Sequence, residues 1–244
     1  MTRNQAHDPK YISNGEIRSG GRAVRPRDAA TLIVVRRDGP APRILMGKRS
    51  AGHKFMPNKF VFPGGRVDPG DARVRPPHDL HPLVLARLTK HCSPSRARAL
   101  AMAAIRETYE ETGLLLGESE SPTLRTRSPH WRPFVDRGVN PRLDTLHFIA
   151  RAITPPYRNK RFDARFFMAE ADLIHGDLQE KPGGSGELLE IHWVTPADAL
   201  ALELPNITRM VIGEVERRLR EGHGPGDEGP FVRFTRGKPV VDRV

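Results

Sequence analysis

The chain has one cysteine, Cys92, in 244 residues, so it cannot form an internal disulfide and offers no second thiol for a zinc site. Aromatic residues make up only 6% and hydrophobic residues 37%, while there are 23 prolines. That balance predicts a modest core with much irregular chain around it. No apolar run approaches the roughly 20 residues of a membrane span, and the first residues lack a signal-peptide core. A cytoplasmic protein without membrane contact is therefore expected. Repeats are absent as well, which excludes a solenoid.

Positive charge is what the chain has in excess, a formal +11 at pH 7. A field of that sign favours anionic partners. The arginines are scattered, however, with no dense basic block and no interleaved aromatics, which argues against nucleic acid and for a small phosphorylated substrate.

Most of the pattern lies between Ala29 and Arg220. The order expected is a polar N-terminal arm over 1–28, one domain over 29–220 and a polar C-terminal tail over 221–244. Apolar runs predict strands at 29–35, 43–47, 144–153, 163–169 and 190–194. Helices are predicted over 82–89, 94–112, 195–202 and 207–220, the second opened by Ser93-Pro94 and closed by Gly113. Strands in hairpin-like pairs with a few helices suit a mixed α/β sandwich. Residues 117–142 are polar and Pro-rich, with Trp131 and Phe134 as anchors of a turn or short helix. In the tail, Phe231-Val232-Arg233-Phe234 reads as an edge strand. His78, His81 and His91 read as surface residues.

The centre of the chain is Arg106-Glu107-Thr108-Tyr109-Glu110-Glu111-Thr112-Gly113. On a helix, Glu107, Glu110 and Glu111 stand at i, i+3 and i+4 and share one face. Three carboxylates so close repel one another unless a cation offsets them. Hard oxygen ligands of this kind suit Mg²⁺ or Mn²⁺. A solvated acidic face is the other reading of the triplet. Arg106, four residues before Glu110, is placed to hold that carboxylate by an i, i+4 pair.

These residues resemble the box of the Nudix hydrolases, in one-letter form G-x5-E-x7-R-E-U-x-E-E-x-G-U, with U bulky and apolar. Arg106, Glu107, Glu110, Glu111, Gly113 and Leu114 fall on its second half, and Thr108 stands where a bulky aliphatic is usual. The first half is Phe62-Pro63-Gly64-Gly65-Arg66, with Asp71 in place of the usual Glu. Asp71 and Arg106 are 35 positions apart, against about 8 in the plain pattern, which predicts a helical insertion of about 72–92 inside the box. That interruption is similar to the subgroup containing peroxisomal coenzyme A diphosphatases. The insertion would wall the substrate pocket or form a homodimer contact. Leu45, Arg49, Ser50, Lys54 and Phe62 to Gly65 also match the pattern of coenzyme A-cleaving members, with Asn58 in place of a glycine.

The resemblance implies a Nudix-type α/β/α sandwich. It also implies a metal-dependent hydrolase of a nucleoside diphosphate linked to another moiety. Glu107, Glu110, Glu111 and the Gly65 carbonyl would hold Mg²⁺ or Mn²⁺, and Arg106 would orient a glutamate. Arg49, Lys54 and Arg66 would contact substrate phosphates, or else be solvated, and Glu187 would be an additional catalytic carboxylate. Coenzyme A or acyl-coenzyme A leads as substrate. The alternatives are ADP-ribose, NADH or a nucleotide sugar, or a non-catalytic ligand-binding module.

Overall fold

A computed structural model describes residues 23–52, 57–119, 124–176, 178 and 184–244. Lys54 and the larger part of the expected N-terminal arm lie outside the described residues. The domain is built on a mixed sheet of nine strands. β1 (Arg27–Arg36) lies inside it, between β8 (Phe162–Glu170), parallel to it along its whole length, and two antiparallel partners. Those partners are β4 (Gly64–Arg66) at its start and β2 (Arg43–Arg49) at its end. β10 (Leu188–Val194) and β3 (Phe60–Val61) both pair with β2, and β7 (His147–Ile153) pairs with β8.

The apolar run in β1 is nearly continuous because both faces are covered. Ala30, Leu32 and Val34 point into one core, shared with α1 (Pro82–Thr89) and α2 (Pro94–Thr112). Ile33 and Val35 point into the other, shared with α4 (Pro196–Leu200) and α5 (Asn206–Glu221). The α/β/α sandwich follows directly from that alternation.

α2 is buried around most of its circumference, from Ala97 to Ile105, which its run of alanines permits. A second, small sheet packs at its end: β6 (Asn140–Pro141), β5 (Leu115–Glu118) and β9 (Ile174–His175). The helix begins where Ser93 Oγ accepts the Arg96 amide, and it ends at Gly113 with φ of 78°. Asn58 adopts φ of 58°, the left-handed conformation expected of it in place of glycine. The expected insertion contains α1, whose Val84 and Leu88 join the core beside α2.

The segment after 220 differs from the expected tail. β11 (Pro230–Thr235) and β12 (Lys238–Arg243) form a hairpin, and β11 runs parallel to β7, so the pair extends the main sheet. Its strands meet at an Arg236-Gly237 turn with positive φ at both positions, and Arg233, Arg236, Lys238, Asp242 and Arg243 make its composition read as polar. Buried arginines hold this region. Arg218 donates to the carbonyls of Asp227 and Glu228 while pairing with Glu214 at 2.6 Å. Arg87 donates to the carbonyls of Phe148 and Val244. Phe231 is buried under the Arg151 guanidinium, 4.3 Å from the ring centroid. Phe231→Ala is expected to lower stability by about 3 kcal/mol in urea unfolding, as for a core aromatic. A loss under about 0.5 kcal/mol would mean that the hairpin is not part of the cooperative core.

Candidate active site

The site is assembled around Arg106, which is only 3% exposed. Its Nε and Nη2 donate to the two oxygens of Asp71 at 2.9 and 3.2 Å. Its Nη1 lies 2.8 Å from Glu110 and 2.8 Å from Glu107, and Nη2 also donates to the Arg66 carbonyl at 2.9 Å. The i, i+4 pair expected between Arg106 and Glu110 is therefore formed. The same Nη1 is shared between Glu110 and Glu107. Glu110 turns to Arg106, with its other oxygen 3.5 Å from His130 Nδ1. Glu107 meets both Arg106 and the Gly65 backbone, and Glu111 turns to the Gly64 amide.

At that strand the fit is close. A Cβ on Gly65 would stand 2.4 Å from the Glu107 carboxylate carbon, so any larger residue there would displace that carboxylate. The Gly64 amide donates to Glu111 Oε2 at 2.9 Å. Arg49 lies near enough to Glu111, Glu187 and Glu107 to feel each charge, while burial holds its own pKa below the ordinary value. Burial pushes the Glu107 carboxyl up to about 7, against the Arg106 charge, with Glu110 adding to the rise. Burial likewise pushes Glu111 up to about 8, against the Gly64 amide, with Glu107 raising it further.

Glu187 arrives from a loop docked on the end of α2. The Ser185 amide donates to the Glu110 carbonyl at 2.7 Å, satisfying one of the orphan carbonyls of the last turn. Gly184 lies so close to the Glu111 backbone that a Cβ would come within 2.2 Å of its carbonyl carbon. This explains the glycine in a stretch that has no phosphate-loop flanks.

Five of the sequence-derived candidates thus meet: Arg49, Gly65, Glu107, Glu111 and Glu187, with Arg106 and Glu110 beside them. Arg66 does not join them through its side chain. It is exposed and lines a separate concavity with Arg25, Arg27, Asp28 and Arg96.

Among the described residues, no three His, Cys, Asp or Glu side chains converge into a ready-made metal site. The donor chemistry still fits a hard divalent cation. The carboxylates of buried Glu111 and half-buried Glu107 both lie against the Gly64-Gly65 backbone, and burial raises the pKa of each.

No family model matches the chain. It is 35% identical over 188 residues to a Caenorhabditis elegans protein assigned as nudix hydrolase 7, covering 71% of this chain and 53% of that protein. It is 26% identical over 211 residues to acyl-coenzyme A diphosphatase NUDT19 of Xenopus laevis, covering 64% of this chain and 53% of that protein. The chain thus spans about half the length of the curated relatives it matches. Among solved structures, a Nudix hydrolase from Alicyclobacillus acidocaldarius superposes with a TM-score of 0.60 at 27% identity, over 78% of this chain and 90% of that one.

The chain belongs to the Nudix superfamily.

Two site residues of this Nudix domain were not legible in its sequence. His130 lies 3.5 Å from Glu110 and 3.9 Å from Asp68. Trp131 donates its indole N–H to Asp71 at 2.8 Å. Both come from the 117–142 connection, where only the anchoring aromatic was visible. A Ser-Pro-His-Trp sequence ahead of a short apolar segment was the available signal.

The raised Glu111 pKa has a consequence for the metal-free protein. A folded carboxyl that binds protons above its unfolded value of 4.5 weakens the fold as pH rises from 4.5 toward 8. In EDTA, Glu111→Gln is therefore expected to melt close to wild type at pH 5 and progressively above it toward pH 8.5. A melting difference that stays constant across that range would contradict the assigned burial.

Proposed function

We propose that the protein hydrolyses a nucleoside diphosphate linked to a second moiety, most favourably coenzyme A or an acyl-coenzyme A. The observation that carries this reading is the pair of carboxylates, buried Glu111 and half-buried Glu107, against the Gly64-Gly65 strand with Arg49 and Glu187 around them. In this reading Glu107, Glu111 and the Gly65 carbonyl hold Mg²⁺ or Mn²⁺, with Glu110 alongside. The bound ion supplies neutralisation of the diphosphate and of charge developing on the bridging oxygen.

The chain's own groups do the rest. Arg49 binds a substrate phosphate, its planar guanidinium suited to two parallel hydrogen bonds. Lys54 is assigned the same partner by sequence pattern. Arg106 keeps Glu110 oriented and does not touch substrate. A water oxygen bonds to one phosphorus as the bridging P–O bond breaks, and the water proton passes to the carboxylate set. Glu187, which is exposed, and Glu110, with its side chain 31% exposed, are more open to solvent than Glu107 at 16%. Coupled carboxylates share their titration, so the proton belongs to the set and not to one residue. Support for the coenzyme A substrate comes from the similarity to the Xenopus diphosphatase and from Leu45, Arg49, Ser50 and Phe62 to Gly65. Among the described residues no helix is long and apolar enough to cross a membrane.

Purified protein with Mg²⁺ or Mn²⁺ is to be given coenzyme A, an acyl-coenzyme A, ADP-ribose, NADH and a capped RNA, with products read by mass spectrometry. The expected product is 3′,5′-ADP from the coenzyme A substrates, abolished by EDTA. Glu110→Gln is expected to reduce turnover at least about 100-fold while melting within a few degrees of wild type. AMP from ADP-ribose or NADH alone would keep the hydrolase and replace its substrate. No product with either metal would leave a ligand-binding module as the better reading.

A further inference from the structure

The Asp71 side chain is completely buried, and four donors saturate its two oxygens. Oδ1 accepts Arg106 Nε at 2.9 Å and Trp131 Nε1 at 2.8 Å. Oδ2 accepts Arg106 Nη2 at 3.2 Å and the Asp68 amide at 2.7 Å. The aspartate is one methylene shorter than the glutamate the family pattern has here, and an indole N–H completes its shell. Trp131 is itself fully buried. Its ring packs edge-on against Phe134, with centroids 5.3 Å apart, and Phe134 packs edge-on against Tyr109 of α2 at 5.4 Å. The Tyr109 hydroxyl donates to the Pro133 carbonyl. The turn before α3 (Arg132–Val135) therefore grips α2 at the position beside Glu110 and, through Asp71, at Arg106.

We propose that Trp131 is a positioning residue for the metal-holding face of α2: its indole N–H fixes Asp71, Asp71 fixes the Arg106 guanidinium, and Arg106 divides itself between Glu107 and Glu110. This rests on the metal-dependent reading above. A hydrogen bond from a buried donor to a charged acceptor is among the stronger ones, and removing the donor leaves Oδ1 with one partner in a site closed to water. Arg106 can then swing toward whichever carboxylate attracts it most, and Glu107 and Glu110 lose their fixed spacing. Groups that act on a metal through its ligands typically change affinity or activity about 10- to 100-fold.

The test compares Trp131→Phe with Phe134→Leu. The first removes the N–H and keeps a buried ring. The second disturbs the same aromatic cluster and keeps the N–H. Metal-free proteins are titrated with Mn²⁺ and followed by electron paramagnetic resonance, and kcat and KM are measured on the best diphosphate substrate. Trp131→Phe is expected to weaken Mn²⁺ binding about 10-fold and to lower kcat with KM nearly unchanged. Phe134→Leu is expected to lower the melting temperature at least as much while binding Mn²⁺ within about twofold of wild type. If Trp131→Phe does not fold, benzothienylalanine at position 131, which puts sulfur in place of the N–H at nearly constant shape, makes the same comparison. Unchanged Mn²⁺ affinity without the N–H, or equal weakening in Phe134→Leu, overturns the positioning role and leaves the hydrolase reading standing. A wild-type protein that binds no Mn²⁺ overturns both.

Discussion

One guanidinium, that of Arg106, is the interaction on which the site depends. Taking a charge out of water is expensive, and only close pairing with good geometry offsets the cost. Arg106 meets that condition with Asp71, Glu107, Glu110 and a backbone carbonyl, at distances of 2.8 to 3.2 Å. The same contacts join two distant pieces of chain: α2, and the stretch from the Arg66 carbonyl at the end of β4 to the turn holding Asp71. Arg106 therefore closes the fold and sets the spacing of the glutamates in a single arrangement. Lysine could not replace it, because a compact ammonium lacks the planar fork that reaches two carboxylates and a carbonyl at once.

The balance of charge divides the acidic face in two. Glu110 is matched by Arg106 and borders water, whereas Glu111 is buried against the Gly64 amide, with no hydrogen-bonded cation among the described residues. Arg49 lies close enough to be felt but is itself partly desolvated. The interior thus keeps a deficit of positive charge on one side of α2, in a protein whose net charge is strongly positive. An excess of surface arginine does not satisfy a buried carboxylate; only a group that reaches it can.

Much of this was legible in the sequence. Helical spacing put Glu107, Glu110 and Glu111 on one face, and Ser93 and Gly113 marked the ends of α2 because capping is a local property of a few residues. Spacing fixes Cα positions and leaves side-chain torsions free, so the turning of Glu110 toward Arg106 and His130 could not be read. The role of Trp131 depends on a contact 60 positions away, at Asp71, which no local pattern encodes. Of the hairpin, the strand at Phe231 to Phe234 was legible, but its partner β12 and its place inside the main sheet were not. β12 is half exposed and carries Lys238, Asp242 and Arg243 around two valines, so its composition reads as that of a tail. Arg49 and the glycine at position 184 were visible as residues, but their nearness to Glu111 is a property of how β2 and the loop before β10 meet the helix.

The interruption between Asp71 and Arg106 has a thermodynamic side. Closing a flexible loop costs about 0.6 kcal/mol for each doubling of its length, so growth from about 8 to 35 positions adds only about 1 kcal/mol. A buried ion pair pins both ends of this segment, and Val84 and Leu88 bury apolar surface that offsets the added entropy. The seam is thus a place where chain can be gained or lost at almost constant stability. Variation in the length of this domain is expected to collect there, at the edge of the cleft, without moving the atoms that do the chemistry.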